Sequence, residues 1–381
     1  MQKKIIVAID SLKGCLSSEE ANEAACKGIK AVLPDCHVTA IPVSDGGEGM
    51  MEAFLAAKGG EKVSIRSYDP LLRPIDAEYV ISDKGKTAII EMAKCAGLTL
   101  LKKWEQNPME TSSYGFGIML KDALERDCRN IIIGIGGSAT NDGGMGMLTA
   151  LGFSFFDKNG DEIDYGYGKD MLKAERIASF TVPTNAINRC RITVACDVDN
   201  PFYGENGSAR IFARQKGADE DMMDELDKGM RNIATIYFRF TGKDISYMAG
   251  AGAAGGMGGA LMAMLNAKLK TGIDMLLDYV DFNRKIKGAD LVITGEGQID
   301  RQTLMGKVPY GIMLRAQKKG VPTIAIAGMV NDEPMLLNAG FNGIFSINPP
   351  KTTLCEAIKP ETAKANIEST IKTILTNKFD L

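Results

Sequence analysis

A glycine-rich segment near the middle of the chain has the composition of a phosphate-binding loop. An apolar run at residues 131–135 is followed by Gly136, Gly137, Ser138 and further small polar residues, and then by a stretch rich in alanine, methionine and leucine. The β-branched run predicts a buried strand and the last stretch a helix. Glycines let the backbone approach a ligand closely, and the start of a helix offers free N–H groups to an anion.

Acidic residues follow several of the predicted strands. They are Asp10, Asp45, Glu48, Asp197, Asp199, Glu296 and Asp300. A single aspartate in a turn usually only stabilises that turn, but here the pattern recurs from strand to strand. Ligands of open α/β sheets bind beyond the carboxyl ends of the strands, and Mg²⁺ prefers carboxylate oxygens there. With further glycine-rich loops at 250–256 and 294–300, the pattern favours an enzyme that handles a polyphosphate and a metal.

Basic residues in loops could bind the anionic part of a substrate. Lys13 lies in the first predicted loop and could contact a carboxylate or a phosphate as a point charge. Arg73 and Lys307 have similar settings. Lys216, in Gln215-Lys-Gly-Ala218, could face a phosphate or simply belong to a turn that precedes a helix. Spacing alone does not separate these roles from those of solvated surface residues.

Two segments also fit the glycine pattern of dinucleotide-binding proteins. Residues 134–139 continue into a polar loop where a dinucleotide-binding helix should already have begun, and residues 250–255 follow no clear strand. Neither has a convincing acidic residue about 20 positions later. The Walker A pattern is absent, so a kinase would not be of the P-loop type. The alternatives are an NAD(P)-dependent dehydrogenase and a non-catalytic sensor that binds ATP.

Composition excludes several classes of protein. The chain has 381 residues, 45% of them hydrophobic and 24% charged, with a net charge of −3, which is ordinary for a globular protein with a full core. Without clustered Lys and Arg, we expect no nucleic-acid or membrane partner. The eight cysteines include no CxxC pair, so we expect reduced thiols and a cytoplasmic location. His37 is the only histidine, which leaves acid–base chemistry to carboxylates, Lys or Tyr.

The order of elements predicts two α/β domains. Both ends of the chain alternate strand and helix, which is typical of a parallel sheet covered by helices. We therefore expect a doubly wound, Rossmann- or flavodoxin-like domain formed by residues 1–68 and 286–381. A second α/β domain, residues 69–285, is inserted into it and carries the two larger glycine-rich loops. We expect a cleft between the two domains.

The motifs resemble those of the two-domain bacterial glycerate kinases related to the glycerate 2-kinases. The matching segments cover nearly the whole chain in family order: 9–17, 42–49, 91–98, 111–117, 135–144, 195–201, 215–218, 250–256 and 295–307. The departures are small. The usual Ser-Phe-Lys-Gly-Ser of the family reads Ser11-Leu-Lys-Gly-Cys15 here, and its usual arginine in the last motif is absent from Gln298-Ile-Asp300.

The resemblance implies a function and a cofactor. It implies ATP-dependent phosphorylation of glycerate with Mg²⁺, with 2-phosphoglycerate favoured over 3-phosphoglycerate, by a monomer or homodimer. Glycerate and ATP are then the small-molecule partners.

Within this hypothesis, each candidate residue has a role. The residues expected to bind the ATP phosphates are Gly136, Gly137, Ser138, Thr140, Asn141, Gly252 and Gly255. The expected metal ligands, direct or through water, are Asp45, Glu48, Glu296 and Asp300. The expected glycerate-binding residues are Asp10, Ser11, Lys13 and Arg73, with Lys13 also acting in catalysis. Asp197 is the first candidate for the base that accepts the hydroxyl proton, and Asp199 is the second.

Overall fold

The computed structural model describes residues 2–12, 14–43, 49–179 and 184–377. Its strands are β1 (Lys4–Ile9), β2 (His37–Ala40), β3 (Glu61–Tyr68), β4 (Pro74–Ser82), β5 (Thr87–Glu91), β6 (Asn130–Gly134), β7 (Phe153–Asp157), β8 (Glu162–Ile163), β9 (Ala174–Ser179), β10 (Arg191–Ala195), β11 (Lys268–Lys270), β12 (Leu291–Ile299), β13 (Thr323–Val330) and β14 (Gly343–Ser346).

Helices connect most of these strands. They are α1 (Ser18–Val32), α2 (Met50–Lys58), α3 (Ala93–Ala96), α4 (Tyr114–Glu125), α5 (Met145–Ala150), α6 (Thr184–Arg189), α7 (Ser208–Phe212), α8 (Glu220–Thr241), α9 (Ala253–Leu265), α10 (Gly272–Tyr279), α11 (Phe282–Lys285), α12 (Val308–Gln317), α13 (Glu333–Ala339), α14 (Leu354–Ala357) and α15 (Pro360–Asn377). Short 3₁₀ turns include Arg214–Lys216 and Arg301–Met305. Within the described residues, no helix is both long enough and apolar enough to cross a membrane.

The chain forms two compact units, Met1–Asp45 with Ile273–Leu381 and Gly46–Gly272. The boundaries of these units differ from the expected domain boundaries at 68/69 and 285/286. Strand β3 belongs to the second unit because it pairs with β4 along its whole length, from Glu61 opposite Ile81 to Tyr68 opposite Pro74. Most of α10 belongs to the first unit, where Arg315 of α12 donates hydrogen bonds to it.

The first unit is a doubly wound α/β domain, as the sequence predicts. Its five strands are all parallel, in the order β2-β1-β12-β13-β14. Numbered within the unit this is 2-1-3-4-5, the flavodoxin-like order. The inner strands β1, β12 and β13 form because their apolar runs are buried on both faces of the sheet, and helices α1 and α15 cover one of those faces. A capping box between Ser17 and Glu20 sets the start of α1.

The register of the first sheet creates a crevice. The strand order reverses at β1: β2 lies on one side of it and β12 on the other. The connections that follow β1 and β12 therefore lead away from each other and leave a crevice between these two strands. These two strands run side by side with Ile9 opposite Gly295. Asp10, which follows β1, and Glu296, one residue beyond Gly295, therefore lie close together. Glu296 is still within β12, which continues to Ile299, so the glycine-rich loop expected at 294–300 is mostly strand.

The second unit is built on a mixed six-stranded sheet. Its order is β3-β4-β5-β6-β10-β11, with β5, β6, β10 and β11 parallel and the hairpin partners β3 and β4 antiparallel. A separate antiparallel sheet contains β8, β7 and β9. Strands β6 and β10 pair with Gly134 opposite Ala195, which places the loops that follow them next to each other.

Candidate active site

The glycine-rich loop after β6 lines a cavity of about 410 Å³ in the second unit. Gly136 and Gly137 are exposed within this loop, and Ser138 is nearly buried. The other walls come from the loop after β10, from the 3₁₀ turn Arg214–Lys216 and from the start of α9. The cavity lies at the carboxyl ends of β6 and β10, the edge at which parallel sheets bind ligands.

The two larger glycine-rich loops are in direct contact. The N–H of Gly143 donates a 2.9 Å hydrogen bond to the carbonyl of Gly255. Gly255 has a left-handed backbone (φ 72°), and a Cβ there would lie 2.1 Å from the carbonyl oxygen of Thr140. Gly252 fits as closely against Pro201, where a Cβ would come within 2.2 Å of the carbonyl oxygen. These glycines hold the loops together, while Gly136 and Gly137 face the cavity.

A buried carboxylate fixes the end of the first loop. Asp142 accepts hydrogen bonds from the N–H of Ser113 (2.7 Å), the hydroxyl of Ser113 (2.6 Å) and the N–H of Gly144 (3.0 Å). Burial raises the pKa of Asp142, and these hydrogen bonds act in the opposite direction. Next to it, Thr140 Oγ1 and Asn141 Nδ2 are buried without a hydrogen-bond partner among the described residues. Sequence reasoning missed Asp142 because an aspartate before two glycines looks like any turn residue.

A buried lysine contacts the same loop. Lys216 is only 2% exposed, and its Nζ donates to Ser138 Oγ at 2.8 Å and to the carbonyl of Thr140 at 2.7 Å. Burial lowers the pKa of Lys216 to about 7, although the nearby negative charge of Asp142 acts in the opposite direction and raises this pKa. The sequence allowed a phosphate-facing lysine or a simple turn at this position. The structure shows a lysine that lines the cavity and holds the loop from behind.

The two candidate bases differ in their position. Asp197 follows β10, is exposed and lines the 410 Å³ cavity together with Gly136, Gly137 and Ser138. Its Oδ1 accepts a 3.1 Å hydrogen bond from the N–H of Gly272. Asp199 is also exposed, but it does not line this cavity.

The first unit has its own cavity, of about 690 Å³, at the crevice between β1 and β12. Asp10, Ser11, Glu296 and Lys307 line its polar part. Asp10 is buried, its N–H donates to the carbonyl of Gly295 (2.8 Å), and its Oδ1 accepts from the N–H of Ser11 (2.7 Å). Asp10 and Ser11, the two expected glycerate-binding residues that the structure describes in this unit, therefore line the same cavity.

Glu296 is a buried carboxylate with a cationic partner. It accepts hydrogen bonds from Thr303 Oγ1 (2.9 Å) and Lys307 Nζ (3.2 Å). Burial raises the pKa of Glu296, while Thr303 and Lys307 lower it. Asp300, the neighbouring candidate, caps the 3₁₀ turn that follows β12 by accepting from the N–H of Gln302 (2.8 Å).

Replacing Lys307 by methionine should raise the pKa of Glu296 further, because the cation that favours its ionised form is lost. If the reaction requires an ionised Glu296, the acidic limb of the kcat/KM profile should move to higher pH by about one unit. Lys318→Met, which removes an exposed lysine at the end of α12, serves as the control and should leave the profile in place. An unshifted limb in Lys307→Met would show that this ion pair does not set the ionisation of an essential group.

The remaining predicted site residues lie elsewhere. Arg73 is in the second unit, where its guanidinium binds the carboxylates of Asp69 and Glu105. These contacts raise its pKa and occupy much of its hydrogen-bonding capacity. Lys13, Asp45 and Glu48 lie outside the described residues.

Among the described residues, carboxylates suited to Mg²⁺ occur in pairs at most. Asp10 and Glu296 line one cavity, and one or two carboxylates with substrate phosphates are a usual Mg²⁺ ligand set. Across residues 2–12, 14–43, 49–179 and 184–377, no group of three or more His, Cys, Asp or Glu side chains could hold a metal ion. The donor chemistry of the first-unit cavity therefore fits Mg²⁺ only if phosphates and water complete its shell.

The family model described as the glycerate kinase family matches residues 5–377. The chain belongs to the glycerate kinase family. Among its relatives, a glycerate 2-kinase of Escherichia coli (strain K12) is 43% identical, with 93% of each chain covered. A glycerate kinase of Bacillus cereus is 42% identical over 97% of each chain. A crystal structure assigned as glycerate kinase 2 from Salmonella typhimurium LT2 matches with a TM-score of 0.88 and 38% identity, covering 99% of this chain and 98% of the other.

Membership of the glycerate kinase family identifies the chain as a glycerate kinase enzyme. Neither the dehydrogenase nor the sensor alternative is favoured, because the match extends over nearly the whole chain.

Proposed function

We propose that this enzyme transfers the γ-phosphoryl group of ATP to the 2-hydroxyl of D-glycerate, with Mg²⁺. The observation that carries the proposal is the 410 Å³ cavity, in which a glycine-rich loop and an exposed carboxylate, Asp197, line the same space. The 2-position is supported by the name of the E. coli relative, a glycerate 2-kinase. Phosphoryl transfer needs positioning and charge stabilisation more than covalent chemistry, and this loop can supply both.

The polyphosphate binds at the loop between β6 and α5. Exposed Gly136 and Gly137 let the phosphates approach the backbone closely, and Ser138 adds a hydroxyl. The buried residues Thr140 and Asn141 shape the loop behind this surface. Gly252 and Gly255 keep the second glycine-rich loop packed against the first. The loop favours a negatively charged ligand because the buried ammonium group of Lys216 contacts Ser138 and Thr140 within it.

Asp197 accepts the proton of the attacking hydroxyl. The glycerate oxygen forms a bond to the γ-phosphorus, the bond from that phosphorus to the bridging oxygen of ADP breaks, and the proton passes to the carboxylate. Asp199 is the second candidate for this step. ADP leaves with the electron pair of the broken bond, so no further reactant is required.

Glycerate binds through Asp10, Ser11 and Lys13 at the carboxyl end of β1. Asp10 can accept hydrogen bonds from substrate hydroxyls, and a lysine suits the substrate carboxylate. Arg73 is a weaker candidate than Lys13, because Asp69 and Glu105 already neutralise its charge.

Glu296 and Asp300, together with Asp45 and Glu48, would hold Mg²⁺, which neutralises phosphate charge when it is bound. The cleft between the two domains, the cytoplasmic location and the monomeric or homodimeric state remain predictions from the sequence.

A ³¹P NMR spectrum of the products tests the proposed reaction. After incubation with ATP, Mg²⁺ and D-glycerate, we expect ADP and a new phosphomonoester signal, split into a doublet by the single proton at C2. A triplet would show coupling to the two protons at C3 and would refute the 2-position. ATP that stays unchanged with folded protein would refute the kinase activity, and a reaction without glycerate controls for ATP hydrolysis.

A further inference from the structure

The contacts of Lys216 determine whether the Ser138 hydroxyl can donate a hydrogen bond to a ligand. A hydroxyl has one proton to donate and two lone pairs to accept with, whereas an ammonium group can only donate. Because Lys216 Nζ donates to Ser138 Oγ at 2.8 Å, the proton of Ser138 is left for another acceptor. Ser138 lines the 410 Å³ cavity, so the acceptor that its position favours is a ligand anion.

The same ammonium group fixes the backbone of the loop. Its second hydrogen bond, at 2.7 Å, goes to the carbonyl of Thr140, two residues after Ser138. One buried cation therefore holds both a side chain and a carbonyl of the segment whose neighbours, Gly136 and Gly137, face the cavity. A charge-assisted hydrogen bond is roughly twice as strong as a neutral one, so this segment is held firmly.

We propose that Lys216 is a positioning residue, which acts through Ser138 to hold its hydroxyl as a donor to the bound polyphosphate. This inference rests on the proposed function, since it deepens the role of the same loop. It assigns a role to a residue that does not belong to the expected phosphate-binding set. The ligand class is a polyphosphate anion, either free or as part of ATP.

The protonation state of Lys216 makes this arrangement sensitive to pH. The deprotonated amine has a lone pair and can accept the proton of Ser138, which reverses the hydrogen bond and withdraws the donor from the ligand. Since the pKa of Lys216 is lowered to about 7, affinity should be highest below pH 7 and fall as the pH rises through that value.

Other ionisable groups surround this pair. Asp142, on the same loop, raises the pKa of Lys216, and Asp197 lines the cavity from the loop after β10. Arg214, on the same 3₁₀ turn as Lys216, is in an ion pair with Glu220. Because these groups are shared by wild type and variants, the comparison between the proteins isolates Lys216.

Binding of tripolyphosphate and of MgATP, measured by calorimetry between pH 6 and pH 8.5, tests the inference. At pH 6 we expect Lys216→Met to weaken both ligands by about 10- to 100-fold and Ser138→Ala by about 10-fold. The double variant should bind no worse than Lys216→Met alone, because both substitutions remove one shared interaction. The fall in affinity across pH 7 should disappear in Lys216→Met and become smaller in Ser138→Ala, where the charge of Lys216 still attracts the anion but no hydroxyl can be reoriented.

A matched control separates this effect from a general loss of positive charge. Lys228→Met removes an exposed lysine of α8 and should bind as the wild type does. Circular dichroism checks that each variant is folded, and Ser138→Ala carries the test alone if Lys216→Met does not fold. Effects that multiply in the double variant, or an unchanged pH dependence in Ser138→Ala, would overturn the proposal.

The inference and the proposed function can fail separately. A wild type that binds tripolyphosphate with this pH dependence but forms no phosphoglycerate would refute the kinase proposal alone. A wild type that phosphorylates glycerate, with Lys216→Met binding MgATP equally well, would refute the positioning role alone.

Discussion

Replacing Asp197 by asparagine should lower kcat by about 10²- to 10⁴-fold and leave the fold intact. An amide occupies the same space as the carboxylate but cannot accept the hydroxyl proton. The side chain is exposed at the cavity, so the change creates no buried unpaired group. The KM for ATP should change little, because the residues proposed to bind phosphate belong to the loop after β6. Steady-state rates of ADP release, with circular dichroism as the folding check, measure both effects.

Asp199→Asn is the matched control for Asp197. It removes the same charge two residues along the same loop, from a side chain outside the cavity. We expect its kcat to stay within about threefold of wild type, since no general-base contribution is lost. If Asp199→Asn lost the larger share of kcat, the two residues would exchange roles. If both variants kept wild-type turnover, the base would lie elsewhere.

The fold of the first unit could be predicted because its signals are local. The alternation of strands and helices, and the acidic residues that follow several strands, can be read from short stretches of sequence. The glycine-rich loop after β6 is equally local, since its strand, glycines and helix are consecutive. These segments needed no knowledge of distant contacts.

The residues that hold the loop could not be predicted, because their partners are distant in sequence. Lys216 lies 78 residues after Ser138, its hydrogen-bond partner. Asp142 lies 29 residues after Ser113, the residue that donates twice to it. Nothing in either local sequence shows that the side chain is buried. Strand β3 is a different case. Its partner β4 follows directly after a turn at Asp69-Pro70, so the hairpin is local, and the expected domain boundary at 68/69 falls inside it.

A local signal could have indicated the structural role of one further residue. Asp300 is followed three residues later by Thr303, and the structure shows a reciprocal cap between them. An acidic residue before a helical turn with a hydroxyl three positions on is a capping pattern. Asp300 is thus an N-cap in the structure, and its role as a metal ligand remains a proposal.

Replacing Gly255 by alanine should destabilise the protein by about 3 kcal/mol or more. Its left-handed backbone disfavours any side chain by roughly 1–2 kcal/mol. A Cβ there would also lie 2.1 Å from the carbonyl oxygen of Thr140 and 2.7 Å from Asn141 Cα. Both contacts are with backbone, so no flexible side chain can move away. We expect a large fall in the midpoint of chemical unfolding and loss of MgATP binding.

Gly136→Ala separates packing from ligand contact, because the two glycines have opposite surroundings. Apart from its two chain neighbours, none of the described residues has a heavy atom within 4 Å of a Cβ built at Gly136, and the backbone of Gly136 is not left-handed. The alanine should therefore keep wild-type stability within about 0.5 kcal/mol. Its methyl group nevertheless projects from a residue that lines the cavity, so MgATP should bind about tenfold more weakly. Normal stability with normal MgATP affinity in this variant would show that phosphates do not approach the loop at Gly136.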